Sequence, residues 1–396
     1  MTASSKPPFA GEARRVRLGD VCEVVSGATP KTSVPGYWGG DINWVTPAEL
    51  DGETVYVNDT AKHLTNEGFR SASLHMMAPG TVLLTSRAPI GKTAIAGVEM
   101  CCNQGFKNLV CSEAIDNEFL LYYLRFNKAA LQSMGRGATF SELSKRDVEG
   151  IRITLPPLSE QRGAVRRLSA IGKVIINARR QLSLLDGLVK SRFVEMFGDG
   201  SNFPMAPLTS CVSTLDSGKS LKCESHPREG DAAGVLKLSA VSSGAYLECE
   251  NKALPSEDLF VPTKEVAEGD ILLARKNTPD LVGRCVLVHS TQGHIMFPDI
   301  IFRMRPNEEV DGVYLAYLLN GPLFSKVRGL AHGSARSMSN IPKSELSKLP
   351  IPLPPLSLQR EFAAFAGRVA KSQVVAQGQI DRLQTLYDSL SQEYFG

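Results

Sequence analysis

Ile153-Thr-Leu-Pro-Pro-Leu-Ser-Glu-Gln-Arg162 returns 198 residues later as Ile351-Pro-Leu-Pro-Pro-Leu-Ser-Leu-Gln-Arg360. Outward from this block, residues 135–198 align with 333–396 without a gap. Gly135, Ser141 and Lys145 match Gly333, Ser339 and Lys343, and both copies finish alike, with Glu195 and Phe197-Gly198 against Glu393 and Phe395-Gly396. Further upstream the match survives as islands in preserved order. Leu18 through Gly27 resembles Leu208 through Gly218, and Gly80-Thr-Val-Leu-Leu resembles Gly269-Asp-Ile-Leu-Leu. Gly91-Lys92 matches Gly283-Arg284, and Leu121-Tyr-Tyr-Leu124 matches Leu315-Ala-Tyr-Leu318. The chain is a tandem duplication whose period is far too long for a solenoid, so each copy is a domain followed by a helix.

Pro156-Pro157 closes the first domain, and Ser159 stands where an N-cap is expected. Leu168, Ile171, Ile175, Ala178, Leu182, Leu185, Val189, Phe193 and Met196 then recur at spacings of three and four, until Gly198 stops the helix. In the second copy Ser357 is the expected cap, and Phe365, Val369, Ser372, Ala376, Ile380, Leu383, Tyr387, Leu390 and Tyr394 form the corresponding stripe. So narrow a stripe is a coiled-coil seam, and about 38 residues make a rod of roughly 57 Å. Two such rods in one chain bury both stripes by packing together. A fold-back of each helix onto its own domain is the alternative, and the shared ending of the copies favours the rod. The expected segments are a first domain over 1–155, a helix over 156–198, a second domain over 199–353 and a helix over 354–396. The domains are expected to be mixed α/β. Thr81–Leu84, Ala94–Ala96, Ile271–Ala274 and Cys285–Val288 have strand character, and 118–126 and 312–319 look helical.

At 396 residues, 43% of them hydrophobic and 21% charged, the chain reads as a globular protein with room for two or three cores. Its eight cysteines show no Cys-x-x-Cys and no Cys/His spacing suited to zinc, as expected of thiols in a reducing cytosol. Residues 1–14 are polar, broken by Pro7 and Pro8, and lack the apolar stretch of a signal peptide. No apolar run approaches the roughly 20 residues that span a bilayer. A cytoplasmic location and no membrane partner are therefore expected. A net charge of +3 means that any polyanion-binding cations are concentrated on one face or supplemented by partners.

Enzyme signatures are missing. Ser86-Arg-Ala-Pro-Ile-Gly91-Lys92-Thr93 approaches a phosphate-cradling loop, but serine replaces its first glycine and the second copy has Gly283-Arg284-Cys285 without the metal-binding hydroxyl. A glycine turn presenting a basic residue is the better account. No Asn- or Asp-Pro-Pro-aromatic quartet, no Gly-x-Gly-x-x-Gly and no His-Glu-x-x-His occurs, and Pro298-Asp299 has no nearby Asp/Glu-x-Lys. No catalytic residue, metal site or resident cofactor is expected.

What recurs instead is a set of basic residues in turns beside small hydroxylated ones. The first copy has Lys31-Thr32, Ser86-Arg87, Lys92, and Arg136 with Thr139, Ser141 and Lys145. The second has Lys219-Ser220 with Lys222, Arg275-Lys276, Arg284, and Arg336 with Ser337, Ser339 and Lys343. Arg and Lys neutralise phosphates or pair with guanine edges, and hydroxyls reach phosphate or base, so these are the candidate DNA contacts. The ends of the copies are alike while their middles have diverged, which suits one architecture carrying two different reading surfaces. Trp38 and Trp44 have rings able to stack on bases, but buried anchors are the plainer reading.

The segment Ser26-Gly-Ala-Thr-Pro-Lys-Thr-Ser-Val-Pro-Gly-Tyr-Trp-Gly-Gly-Asp-Ile-Asn-Trp-Val-Thr-Pro-Ala-Glu-Leu50 resembles the opening of a target-recognition domain in type I restriction–modification specificity subunits. The repeated Leu-Pro-Pro-Leu-Ser-x-Gln-Arg resembles the start of that family's conserved helices. The resemblance runs from about Arg15 to Gly396. It implies two tandem α/β target-recognition domains separated by a pair of long antiparallel coiled-coil helices. It also implies double-stranded DNA, two modification (methyltransferase) subunits and ATP-dependent restriction subunits as partners, with S-adenosylmethionine, ATP and magnesium on those partners. The implied target is bipartite and asymmetric, with a fixed non-specific gap, and its adenines are methylated by the partners. Asp216-Ser-Gly-Lys-Ser220 departs from the pattern, lacking the Thr-Pro and Tyr-Trp-Gly-Gly stretch, which puts the second domain's contacts in doubt. An interaction scaffold built on the helix pair, with DNA binding incidental, is the rival reading.

Overall fold

In the computed structural model, which describes residues 9, 12–135, 141–333 and 338–396, the chain divides into two units. One comprises residues 1–180 with 377–396, the other residues 181–376. Domains followed in sequence by their helices are thus not the units of packing, because each long helix gives one half to each unit.

Strands of the first unit include β1 (Cys22–Ser26), β2 (Trp38–Val45), β3 (Tyr56–Val57), β4 (Val82–Leu84), β5 (Thr93–Ala96) and β6 (Lys107–Cys111). Five of them form one sheet in the order β1-β6-β4-β5-β3, while β2 lies between His63–Leu64 and Cys101–Cys102 in a smaller sheet. Every residue of β4 and β5 is buried, which accounts for their unbroken apolar run. Helix α1 (Asn117–Phe126) buries Phe119 through Leu124, and Asp116 caps it by accepting the Phe119 N–H.

After the first long helix, α2 (Leu158–Phe197), the second unit repeats the plan. Its main sheet runs β7 (Val212–Ser217), β10 (Ile301–Pro306), β8 (Ile271–Ala274), β9 (Cys285–Leu287). Helix α3 (Gly312–Asn320) answers α1, capped by Asp311, and α4 (Leu356–Phe395) answers α2. Arg303, buried in β10, donates to Asp216 and to the carbonyls of Thr263 and Glu265, so its charge is paired and its donors are engaged. No helix among the described residues is long and apolar enough to cross a membrane.

The long helices begin two residues earlier than N-caps at Ser159 and Ser357 imply. The carbonyl of Pro157 accepts the N–H groups of Glu160 and Gln161, and that of Pro355 accepts those of Leu358 and Gln359. Both serines therefore sit inside the first turn. A proline in this place has no N–H of its own to satisfy, and its carbonyl takes the first helical bonds. At the far end of α2, Gly198 takes φ +59°, a left-handed C-terminal stop.

The helices run antiparallel within each unit. In the first, Arg167 donates to the Tyr394 hydroxyl at 2.6 Å, and Gly172 leaves room for the Tyr387 ring. Of the seam residues there, Leu168, Ile175 and Ile380 are buried, and Ile171, Leu383, Tyr387 and Leu390 half-buried. In the second unit Gln373 donates to Asp186 at 2.7 Å and Arg192 meets Glu361 at 2.7 Å, with Val369 buried and Leu182, Leu185 and Val189 half-buried. Both packing arrangements considered from the sequence occur together. Ala164, Val165 and Leu168 join the core of the domain preceding them, whereas Phe193 and Phe197, at the other end of the same helix, join the core of the second unit. The ends are aromatic plugs: Phe395 meets Phe119, Tyr123 and Phe126, and Phe193 meets Tyr314, Tyr317 and Phe362, with centroids 5.0–6.1 Å apart.

The glutamine of the repeated Ser-x-Gln-Arg is fully buried in both copies. Gln161 accepts the Asp116 N–H at 2.8 Å and donates to the carbonyls of Ala114 and Pro156. Gln359 accepts the Asp311 N–H at 2.9 Å and donates to those of Glu309 and Pro354. Each amide ties the first turn of a long helix to the cap of the domain helix beside it. Gln161→Leu and Gln359→Leu each strand one buried donor and two acceptors. Each is expected to cost its unit about 2–4 kcal/mol in urea unfolding, more than the loss of one ordinary hydrogen bond.

Candidate nucleic-acid interface

One end of each main sheet gathers the turns named from sequence. Ser26 pairs with Lys107 and Leu84 with Thr93, so the turns after β1 and β4 and the segment before β6 lie side by side. In the second unit Ser217 pairs with Phe302 and Leu273 with Cys285, giving the same grouping. The equivalence extends to single backbone bonds. The Ser86 N–H donates to Gly105 O at 2.8 Å and the Arg275 N–H to Ile300 O at 3.0 Å. Ser86 O accepts from Leu143 at 2.9 Å, and Arg275 O accepts from Ile341 at 2.8 Å. Arg87 bridges to Glu142 as Lys276 pairs with Asn340, so the Ser86-Arg87 and 141–145 segments, far apart in the chain, become neighbours.

Close backbone approach sets this edge. Gly27 and Gly218 lie so near the preceding loop that a Cβ would stand 2.2 Å from Asn103 O in one unit and 1.9 Å from Phe297 O in the other. Only glycine lets the Ala28 N–H reach Cys102 O at 3.0 Å and the Lys219 N–H reach Phe297 O at 3.0 Å. Just beyond, the Thr29 hydroxyl donates to the Gln104 side chain, and the Ser220 hydroxyl to Asp299.

The candidate contacts fall into three groups. Lys31, Thr32, Lys145, Lys219, Lys222 and Lys343 are exposed on or beside this edge; Lys145 lies 3.7 Å from Glu149, and the other four lysines form no ion pair among the described residues. Arg87, Lys92, Ser141, Arg275, Lys276 and Arg284 are also at the edge, and all but Ser141 have side chains held by neighbours. Arg87 meets Glu142 at 3.0 Å and Lys276 meets Asp299 at 3.5 Å. Arg275 lies over the Phe302 ring and donates to Asn340, Arg284 lies over Phe324, Lys92 reaches Pro47 O at 3.5 Å, and Ser141 is half-buried. Ser86 and Ser339 are corrected: both are buried, Ser86 beneath its own turn and Ser339 in the strand pairing with Asn277, so neither hydroxyl is on the surface. Arg136, Thr139, Arg336 and Ser337 lie outside the described residues.

The turn that approached a phosphate-binding loop is closed on itself. Thr85 Oγ1 accepts the Lys92 N–H and donates to Pro89 O, while the Gly91 N–H is taken by Thr85 O. Trp44 is buried with its Nε1 donating to Ala28 O at 3.1 Å, and Trp38 packs edge-on against it at 5.0 Å, so the pair braces the smaller sheet. Among the described residues no group of three or more His, Cys, Asp or Glu side chains stands together as a metal site. Burial pushes the thiols of Cys101, Cys102 and Cys285 up to about 12, which keeps them protonated and poorly nucleophilic at neutral pH.

Sequence reading named Ser220 beside Lys219 but missed Lys107, Gln104, Thr29 and Glu142 in the first unit and Asp299 in the second. Lys107 shares the Glu142 carboxylate with Arg87, at 3.3 Å. Glu142 lies within the gap-free repeat opposite Asn340, where the change of residue was a readable signal; Gln104 and Asp299 lie where the repeat breaks into islands and carry none. Gly27→Ala and Gly218→Ala are expected to force the loops apart, lowering stability by about 1–3 kcal/mol in thermal melting and opening 103–105 or 298–300 to protease.

Residues 12–184 match the family model described as "Type I restriction modification DNA specificity domain". The type I restriction enzyme MjaIX specificity subunit of Methanocaldococcus jannaschii is 34% identical over 261 residues, which are 64% of this chain and 58% of that protein. The EcoEI specificity subunit of Escherichia coli is 36% identical over 151 residues, 37% of this chain and 25% of its own length. The chain thus spans less than two thirds of either relative. Among solved structures, the type I restriction–modification S subunit from M. genitalium superposes with a TM-score of 0.61 at 14% identity, over 100% of this chain and 99% of that one, which shows a shared fold. Residues 12–184 thus carry the type I restriction–modification DNA specificity domain, and the chain is similar to specificity subunits in sequence and shares the fold of one.

Proposed function

We propose that this chain is the DNA-recognition subunit of a type I restriction–modification complex and is not itself catalytic. It reads a bipartite, asymmetric duplex target with a fixed non-specific gap and directs adenine methylation and restriction by partner subunits. The observation that carries this reading is the pair of loop-bearing sheet edges, alike in backbone bonding and different in side chains. One frame with two unlike surfaces suits two unlike half-sites. Exposed lysines on both edges supply phosphate contacts, and the hydroxyl, amide and carboxylate groups beside them supply base contacts.

The helices carry the other half of the proposal. Besides their buried seam they expose Val174, Ile176, Leu184, Leu188, Val194, Val374, Val375 and Leu386, more apolar surface than two solvated helices need. These residues suit two modification subunits, with restriction subunits joining the complex. S-adenosylmethionine, ATP and magnesium are assigned to those partners. Each helix has 40 residues. We assign the length of the pair the role of setting the gap between half-sites.

Binding of a cognate duplex by the assembled complex is expected to weaken steeply with salt, the log–log slope approaching about −0.9 per phosphate neutralised. A flat response would favour a scaffold in which DNA binding is incidental. Lengthening both helices by four residues is expected to change the gap in the methylated target and leave the half-site bases alone. Altered bases with an unchanged gap would overturn the spacing role.

A further inference from the structure

The two sheet edges differ at a matched pair of positions. Gln104 and Asp299 are equivalent: each is reached by the hydroxyl of the loop after the first sheet strand, Thr29 in one unit and Ser220 in the other. Glu142 and Asn340 are also equivalent, each bridged to the residue after the sheet turn, Arg87 or Lys276. Between the units the amide and the carboxylate have changed places. The first unit has the amide at 104 and the carboxylate at 142; the second has the carboxylate at 299 and the amide at 340. The cation between them follows the acid. Arg87 meets Glu142 at 3.0 Å, whereas Lys276 meets Asp299 at 3.5 Å.

None of these four side chains is buried, so packing does not select them. Ionised carboxylates are acceptors only. On an edge rich in lysines and facing phosphates, an acid is unfavourable unless it orients a cation or accepts from a base. The Ser220 hydroxyl and the Lys276 ammonium hold the Asp299 carboxyl below the usual carboxylate range, so it stays ionised. In the major groove the available donors are the exocyclic amines of cytosine and adenine. Side-chain amides offer a donor and an acceptor, the pattern that matches adenine. Arg275 donates to Asn340 Oδ1 at 3.2 Å, which engages the acceptor of that amide.

We infer that positions 104/299 and 142/340 are the specificity-determining pair of each recognition unit, and that the exchange of amide and carboxylate makes the two half-sites unlike. Asp299 accepts from a base amine in one half-site, and Glu142 does so in the other while orienting Arg87 and Lys107. This inference rests on the proposal that both edges read duplex DNA.

The test selects duplexes from a randomised library with the full chain assembled with its modification partners, comparing the unaltered chain with Asp299→Asn and Glu142→Gln. Both substitutions keep size, remove the charge and turn one acceptor oxygen into an amide donor. Each variant is expected to lose discrimination roughly tenfold or more at one base pair of one half-site, leaving the other half-site unchanged. Unchanged motifs in both variants would overturn the inference while leaving DNA reading intact. Equal weakening at both half-sites, with a lowered melting temperature, would also overturn it and assign the acids to holding the loops. Failure of the unaltered complex to select any motif would instead bring down the DNA-reading proposal itself.

Discussion

A buried amide holds each α/β domain to its long helix, and the rest of the architecture depends on it. Gln161 and Gln359 are fully buried and each serve three backbone groups, at the point where a proline pair has ended one element and a 40-residue helix begins the next. A buried backbone N–H or carbonyl without a partner costs more than an ordinary hydrogen bond contributes, so this junction tolerates little variation. That explains why Ser-x-Gln-Arg survives in both copies while the neighbouring position changes from Glu160 to Leu358.

With its first turn fixed, each helix has a defined direction, and its aromatic end reaches the core of the other unit. Tyr394 and Phe395 complete the apolar cluster that begins at Phe9 and Leu18, and Phe193 and Phe197 complete the one around Tyr314. The first unit joins two separate stretches of sequence, 1–180 and 377–396, while the second is the single stretch 181–376. Each core borrows its last aromatic residues from a helix that starts in the other copy, so the two copies fold as mutual complements.

At the candidate interface the constraints are of another kind. Two glycines with no room for a Cβ bring three loops into hydrogen-bonding range, and the bonds that follow are the same in both units. Exposed side chains on that frame bear no packing load. Lys276 can lean on Asp299 where Arg87 leans on Glu142 without disturbing a core residue. Conserved framework and divergent surface are two consequences of where burial ends.

The sequence by itself determined the duplication, the helical seams and the mixed α/β character, because these rest on periodicity and punctuation within a few tens of residues. Strand runs such as Ile271–Ala274 and the helix stripes were legible for that reason. The caps lie two residues before the serines expected to hold them, at Pro157 and Pro355, since a proline carbonyl takes the first helical bonds there. The tertiary structure alone decided which residues share the edge. Gln104 meets Thr29 across 75 positions and Glu142 meets Arg87 across 55, distances over which local patterns carry no information. It also decided that Ser86 and Ser339 lie inside and that residues 377–396 belong with the first copy. Burial and pairing are set by which distant segments the hydrophobic core draws together, and that is settled only when the whole chain folds.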